Sequence, residues 1–229
     1  MALGAIFGEK GKTLHMKIAT TRAETLSDGV IAIILTIMVL EMMPELAGDS
    51  GEEEVVRNLQ KLVPNLIAYI GSFTMIGIFW MNHHHMFHLL EKIDEPLLLL
   101  NLLFLFCMSL IPMATSVLGA KPFLSTSSAL YGIVMLMTTL AFTIMRVHAD
   151  RKNLMHKDQD KKLMQRMRKL SIRAKTKNLI GTFAYLLAIG LAFVNVYFSF
   201  ACFLIPPAIF FIPDGIDDEK LAEKIADKK

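Results

Sequence analysis

The sequence predicts an all-α integral membrane protein, a bundle of six transmembrane helices. Of its 229 residues, 54% are hydrophobic and only 20% are charged, which lies outside the usual range for a soluble domain of this length. The apolar residues occur in runs of about 17 to 25, the length that crosses the hydrocarbon core of a bilayer as a helix. We therefore expect a single helical bundle in a membrane.

Six spans account for these apolar runs. The runs are Ala23–Met43, Leu62–Leu90, Pro96–Leu118, Phe123–Val147 and Leu179–Pro213. The last run is too long for one helix, so we divide it near Val194 to Tyr197 into two short spans. The second of these contains Pro206 and Pro207, which break or kink a helix. Residues 1–213 would then form the transmembrane domain, with a basic cytoplasmic segment at 148–178 and a charged cytoplasmic tail at 214–229.

The distribution of charge predicts the orientation. Positively charged segments stay on the cytoplasmic side of a membrane during insertion. Four cations lie before or at the start of the first span, Lys10, Lys12, Lys17 and Arg22, whereas the first loop carries six acids, Glu41, Glu45, Asp49, Glu52, Glu53 and Glu54. Six crossings place the basic segment and both termini in the cytoplasm, and the acidic loop outside.

The basic segment fits contact with anionic lipid headgroups at the cytoplasmic surface. Nucleic-acid binding is the rival interpretation, but the segment lacks the aromatic residues on which bases stack. The positive-inside rule already explains the charge. We therefore expect lipids, and no nucleic acid, as partners of this segment.

The first span carries the polar groups that need an explanation. Arg22, Ser27 and Asp28 lie in its first two turns, and almost pure hydrocarbon follows. A charged side chain in a span is costly, so it tends to face the protein interior or water and to pair with a partner. Asp28 is therefore a functional or architectural candidate, and capping of the helix start by Ser27 or Asp28 is the alternative.

Helical periodicity separates two faces of this span. Ile33, Thr36, Ile37 and Leu40 fall on one stripe, and Asp28 projects about 130° from the centre of that stripe. An aliphatic stripe with a single hydroxyl is also typical of ordinary lipid or helix packing. Periodicity alone does not identify a pore.

Four histidines at the end of the second span suggest a different function. They are His83, His84, His85 and His88, and imidazoles one helical turn apart can bind zinc, copper or nickel. This pattern leaves a metal-ion or proton-coupled transporter as the alternative function. No other span offers an Asp, Glu or Cys cluster to complete a coordination sphere, so we predict neither a metal site nor a cofactor.

An intramembrane hydrolase is the other class to consider. Ser27 and Asp28 are adjacent, so on a helix they diverge by about 100° and cannot both address one histidine as nucleophilic catalysis requires. The sequence also lacks a G-x-S-x-G turn and a phosphate-binding loop. The protein is predicted not to be an enzyme.

Two motifs carry a family resemblance. The run R-x-x-x-L-S-D-G-V from Arg22 to Val30 is similar to the R-x-x-x-F-S-D signature of the transmembrane protein 175 family, the endolysosomal potassium channels and their prokaryotic relatives. The run F-W-M-N-H-H from Phe79 to His84 resembles the tryptophan and paired histidines of the same family. Leu26 stands at the motif position where the family usually has phenylalanine. The resemblance covers nearly the whole chain, as expected for a prokaryotic member with one six-helix unit.

The resemblance implies a homotetramer that conducts potassium through a central pore lined by the first helix, without a cofactor. The pore constriction would then consist of Ile33, Ile37 and Leu40, and Thr36 would tune ion selectivity. A polar network would anchor the pore helix, formed by Arg22, Ser27, Asp28, Trp80 and His84. Because no T-V-G-Y-G filter occurs, the preference for potassium over sodium should be modest. The single unit and short loops suggest a bacterial plasma membrane.

Overall fold

The computed structural model of the protein describes residues 2–40, 52–152, 154–155 and 161–211. Seven α-helices account for nearly all of them. They are α1 Ala2–Leu40, α2 Glu52–His88, α3 Glu95–Ser109, α4 Ile111–Ala120, α5 Ser125–Arg151, α6 Lys161–Ala192 and α7 Val196–Phe211. The only extended pairing among these residues is an isolated antiparallel bridge between Leu90 and Met155. The prediction of an all-α fold is confirmed.

Four helical segments are long and apolar enough to cross a membrane. They are Thr20–Leu40, Leu62–His88, Glu95–Ala120 and Ser125–Arg151, and the shorter helix α7 is also apolar. Each overlaps one of the first four predicted spans. The predicted acidic stretch from Glu41 to Asp49 and the charged tail at 214–229 lie outside the described residues.

The third of these segments, Glu95–Ala120, is divided at Leu110. This division was not predicted from the sequence. Pro112 is the second residue of α4, and a proline has no backbone N–H and clashes with the carbonyl one turn before it. The N–H of Leu110 instead donates to the carbonyl of Cys107 at 3.2 Å, three residues back. The proline therefore explains why two short helices replace one long helix here.

The division predicted near Val194 to Tyr197 is present, because α6 ends at Ala192 and α7 begins at Val196. Asn195 lies in the gap, and its Oδ1 accepts a hydrogen bond of 2.9 Å from the N–H of Tyr197. An asparagine in this position satisfies a free amide at a helix start. The interruption expected at Pro206 and Pro207 is absent, since α7 continues through both. A proline's fixed φ is compatible with a helix.

Helix α5 forms the centre of the bundle, in contact with α3, α4, α6 and α7. In its most apolar stretch 61% of the residues are buried, compared with 28% in α1 and in α2. Phe104 of α3 links the core to α2, because its ring lies 6.0 Å from that of Phe79 and 5.4 Å from that of Phe142. The segments Thr20–Leu40 of α1 and Leu62–His88 of α2 thus lie at the edge of the bundle, with most of their residues not buried.

Buried hydroxyl groups connect the helices within this core. Thr115 donates to the Oγ of Ser72 at 2.8 Å, and Ser72 donates to the hydroxyl of Tyr131 at 3.1 Å. Ser128 and Ser199 are joined by a further hydrogen bond of 2.8 Å. In an apolar medium such groups need partners, and hydrogen bonds between helices supply them. These contacts fix α2 and α4 to α5, and α5 to α7.

The turn between α2 and α3 is held against the end of α5. Asp94 accepts hydrogen bonds from the N–H of Leu97 at 3.0 Å and from Nε2 of His148 at 2.9 Å. Burial raises the pKa of Asp94, but the hydrogen bonds from His148 and Leu97 outweigh that effect, so the pKa lies below its usual value. The N–H groups of Glu91 and Lys92 both donate to the carbonyl of Leu154. This end of the bundle is closed by several short polar contacts.

Candidate pore-lining helix and its attachment

Helix α1 presents a buried face and an uncovered face. The buried face packs on the core through five small or apolar positions spaced three or four residues apart, Ala23, Ser27, Ile31, Ile34 and Met38. This spacing places all five on one side of the helix. The charged and polar attachments to α2 lie next to this face, whereas the predicted stripe lies on the other side.

The predicted stripe is exposed in the single subunit. The side chains of Ile33, Ile37 and Leu40 are 57%, 42% and 55% exposed, respectively. Thr36 is also exposed, and its hydroxyl donates to the carbonyl of Ile33 at 2.9 Å. Because the hydroxyl proton is used within the helix, the oxygen lone pairs remain available to a ligand outside it. The stripe therefore combines bulky aliphatic surface with one outward acceptor oxygen.

The exposed stripe extends to the amino-terminal end of the span. Arg22, Leu26 and Gly29 are exposed and precede Ile33. The positions 22, 26, 29, 33, 36 and 40 are separated alternately by four and three residues, which is the repeat of helices that wind around a common axis. We call these six residues the α1 seam. Its spacing is the one expected if α1 packs against copies of itself.

On the buried face, Ser27 attaches α1 to α3. The Nδ2 of Asn101 donates to the Oγ of Ser27 at 2.9 Å, and Ser27 donates to the carbonyl of Ala23 at 2.8 Å. Nε2 of His83 donates to the Oδ1 of Asn101 at 2.9 Å. Ser27, His83 and Asn101 are at most 2% exposed. Asn101 thus joins α1, α2 and α3 in the centre of the subunit.

The imidazole of His83 is a packing element as well as a donor. Its ring stacks against Phe87, with centroids 4.2 Å apart, and lies parallel to Phe104 at 5.7 Å. A planar ring between two aromatic rings has little freedom to rotate. His83 therefore fixes the orientation of Asn101, which in turn positions Ser27.

A second attachment joins α1 to the outer side of α2. The indole N–H of Trp80 donates to Oδ1 of Asp28 at 2.9 Å. The ring of His84 stacks on that indole with centroids 5.9 Å apart, and its Nδ1 lies 3.4 Å from Oε1 of Glu24. Glu24 and Asp28 are one turn apart, as are Trp80 and His84. The two contacts therefore join two successive turns of α1 to two successive turns of α2. This attachment fixes both the rotation and the height of α1.

The structure brings together only part of the network predicted from the sequence. Asp28, Trp80 and His84 lie in one attachment, whereas Ser27 contacts Asn101 in another. Arg22 belongs to neither, because it lies on the α1 seam and forms no ion pair with a described acidic side chain. The place of Arg22 in the network therefore stays a prediction.

Sequence analysis missed three members of these attachments. They are Glu24, Asn101 and the inward-facing His83. Asn101 carried a usable signal, since it is a lone polar residue in the run L-L-L-L-N-L-L-F-L-F, and a polar group in a span tends to hydrogen-bond to another helix. Glu24 carried none, because a glutamate at the edge of a span is readily hydrated.

The histidines do not form a ligand set. His83 points into the core, whereas His84 and His88 stack on each other on the surface with centroids 6.1 Å apart. In the part of the chain that the structure describes, no group of three or more His, Cys, Asp or Glu side chains could hold a metal ion. The two cysteines, Cys107 and Cys202, are free and buried.

Comparison with known proteins identifies the family. The family model described as the endosomal/lysosomal potassium channel TMEM175 matches residues 22–112, which include the α1 seam and both attachments. A potassium channel of Chryseobacterium sp. (strain P1-3) is 36% identical over 203 residues, covering 88% of this chain and 97% of that protein. A potassium channel of Streptomyces collinus is 32% identical over 185 residues, covering 79% and 85%.

A solved structure extends the likeness to the fold. The crystal structure of a lysosomal potassium-selective channel TMEM175 homolog from Chamaesiphon minutus superposes with a TM-score of 0.66 and 25% sequence identity, covering 83% of this chain and 96% of that chain. The sequence and the fold therefore agree: this chain is an integral membrane protein that belongs to the TMEM175 family.

Proposed function

We propose that the protein is a potassium-preferring monovalent cation channel, a homotetramer in which α1 of each subunit lines a central pore. The observation that carries this proposal is the uncovered α1 seam, with its repeat of four and three residues, on the helix side opposite the attachments to α2 and α3. A repeat of this spacing is typical of helices that pack against partner helices. Identical helices around a symmetry axis supply them.

The pore constriction would be formed by Ile33, Ile37 and Leu40. Their exposed aliphatic side chains would stack as apolar rings, and a narrow apolar neck gates ion flow by excluding water. These side chains carry no coordinating oxygen. They would therefore determine the height of the barrier to conduction and contribute little to ion selectivity.

Thr36 would tune ion preference. Its outward oxygen lies one turn from Ile33 and Leu40, so a tetramer would place four acceptor oxygens beside the constriction. Such oxygens replace part of the hydration shell of an ion. A single ring of hydroxyl oxygens supports modest selectivity, and the bacterial relatives are named potassium channels.

The two attachments would hold the pore helix in place. Asp28 with Trp80, and Ser27 with Asn101, fix α1 on the side away from the seam. A polar contact of this kind resists rotation of a helix because breaking it leaves an unpaired group in an apolar medium. Arg22 takes no part in these attachments, because it lies on the seam.

The membrane arrangement that we propose has six crossings. Helices α3 and α4 together make the third, and α6 and α7 make the last two. Both termini and the basic segment 148–178 are then cytoplasmic, where the segment would contact anionic lipid headgroups. The bacterial relatives favour the bacterial plasma membrane as its location.

The proposal is tested by ion flux in liposomes that contain the purified protein. We expect potassium flux down its gradient and a reversal potential that favours potassium over sodium. Ile33→Asn should increase the flux, because an amide hydrates the apolar neck. Val39→Asn is the matched control, since Val39 is 42% exposed but lies about 120° from Ile33 on the helix. Equal effects of the two substitutions, or no effect of either, would contradict the pore assignment.

A further inference from the structure

We propose that Arg22 forms a ring of four positive charges at the amino-terminal mouth of the pore and that this ring disfavours divalent cations. The inference rests on the proposed function, since it requires α1 to line a pore. It adds a specificity element that differs from Thr36 in position and in mechanism. Thr36 acts by coordination, whereas Arg22 acts through its charge.

The geometry of α1 places Arg22 on the pore side. The helix is continuous from Ala2 to Leu40, so the 11 residue steps from Arg22 to Ile33 make three turns with a residual rotation of about 20°. Arg22 therefore shares the direction of Ile33, about 17 Å nearer to the amino terminus. Arg22 is exposed in the subunit, as Ile33 is.

The nearest acidic groups of the same helix do not neutralise Arg22. Glu24 is turned about 160° away from it on the helix and lies beside His84. Asp28 accepts the hydrogen bond of Trp80. Both carboxylates thus face α2, and an arginine side chain is a cation with donors only. Four copies of Arg22 would consequently produce a positive potential at the mouth.

A positive ring acts more strongly on divalent than on monovalent cations. The electrostatic energy of an ion is proportional to its charge, so a potential that lowers the local concentration of K⁺ by some factor lowers that of Mg²⁺ by the square of that factor. The ring thus reduces K⁺ entry moderately and Mg²⁺ entry severely. A pore with a single ring of Thr36 oxygens would gain discrimination between monovalent and divalent ions in this way.

The test compares the wild type with Arg22→Gln and Arg22→Lys in planar bilayers, with Mg²⁺ added to each side in turn. We expect Arg22→Gln to raise K⁺ conductance several-fold in about 10 mM salt, where charges act over about 30 Å. In 1 M salt, where charges act over about 3 Å, the substitution should change the conductance little. At low salt, the apparent affinity for Mg²⁺ block should rise by about the square of the factor by which the K⁺ conductance rises. Arg22→Lys keeps the charge and should resemble the wild type.

A second variant keeps the inference testable if Arg22→Gln does not assemble. Arg22→Cys can be treated, in the assembled channel, with a cationic or an anionic methanethiosulfonate. The cationic reagent should restore the wild-type response to Mg²⁺, and the anionic reagent should strengthen the block further. The native cysteines are buried, so untreated and treated wild type should agree.

The outcomes separate this inference from the proposed function. If the wild type conducts but Mg²⁺ block is the same in Arg22→Gln, or if both thiol reagents act alike, the charge ring is wrong and the channel stands. If the wild type carries no potassium current under any condition, the proposed function itself is wrong.

Discussion

The indole N–H of Trp80 on α2 donates a hydrogen bond of 2.9 Å to the carboxylate of Asp28 on α1. Asp28 lies near the start of the span, and the partly exposed Trp80 lies within the last three turns of α2. The pair therefore joins the helix that carries the seam to the neighbouring helix at a defined height. A hydrogen bond to a charged acceptor is among the stronger polar contacts in proteins.

Asp28→Ala and Trp80→Phe should each impair assembly, and each should destabilise the protein by on the order of 1 kcal/mol. Combining them should add little, because both remove the same contact. Thermal unfolding in detergent and the size of the tetramer peak measure these effects. Trp80 is the only tryptophan in the chain, so its fluorescence should also shift in Asp28→Ala. Additive losses in the double variant, or intact tetramers of normal stability, would refute the anchoring role.

The sequence predicted this contact only in part, for a physical reason. Asp28 stands out in the sequence as a charged group in an apolar span, which requires a partner, whereas the resemblance to the family implies the roles of Trp80 and His84. Their pairing depends on the rotation of α1 against α2, which apolar periodicity does not specify. Ser27 illustrates the difference, because it was assigned to the same network and instead contacts Asn101 on α3.

Gly119→Ala should destabilise the subunit by about 1 to 3 kcal/mol through overpacking. A Cβ at Gly119 would lie 2.7 Å from the Cα of Asn65 and would also collide with its side chain. Helices α2 and α4 would have to separate. The measurement is thermal unfolding in detergent.

Gly77→Ala is the control for this substitution. Nothing lies within 4 Å of a Cβ at Gly77, so the higher helix propensity of alanine should leave stability unchanged or raise it. Equal effects at the two glycines would show that the contact between α2 and α4 is looser than described here.

Asp94→Asn should lower stability at neutral pH by less than about 1 kcal/mol, because the carboxylate is partly exposed and its pairing with His148 is screened. The pKa of Asp94 is lowered in the folded state from its usual value of 3.8. Its contribution is therefore fully present above that value and is lost as the pH falls through the folded pKa.

The stability difference between the wild type and Asp94→Asn should consequently shrink on acidification below pH 3.8, the usual pKa of an aspartate. Glu95→Gln is the control, since Glu95 is an exposed neighbour at the start of α3. A difference that stays constant, or grows, as the pH falls would contradict the role of the Asp94 charge.

Thr36→Val should reduce the preference for potassium over sodium, because it replaces the outward oxygen by a methyl group of similar size. Thr36→Ser keeps the oxygen and should retain the preference. Reversal potentials with potassium on one side and sodium on the other measure both. A loss of preference in Thr36→Ser equal to that in Thr36→Val would show that the hydroxyl is not the selective group.

The helix boundaries show where sequence reasoning succeeded and where it did not. The gap between α6 and α7 was predictable, because a single span cannot contain so long an apolar run and Asn195 caps the next helix. The division at Leu110 was missed since the apolar run around Pro112 has the length of one span. The partner of the seam is beyond prediction from one chain, because exposed apolar side chains pack equally well against lipid or protein.

If α1 lines the pore, Ile33 faces the ion pathway. The most direct test is the current through Ile33→Cys channels before and after a membrane-impermeant thiol reagent, with Val39→Cys as the matched control. The native cysteines are buried, so wild-type current should be unaffected. We predict that the reagent blocks Ile33→Cys and spares Val39→Cys. If the reagent instead blocked Val39→Cys and left Ile33→Cys unaffected, the seam would face away from the pore and α1 would not line it as proposed.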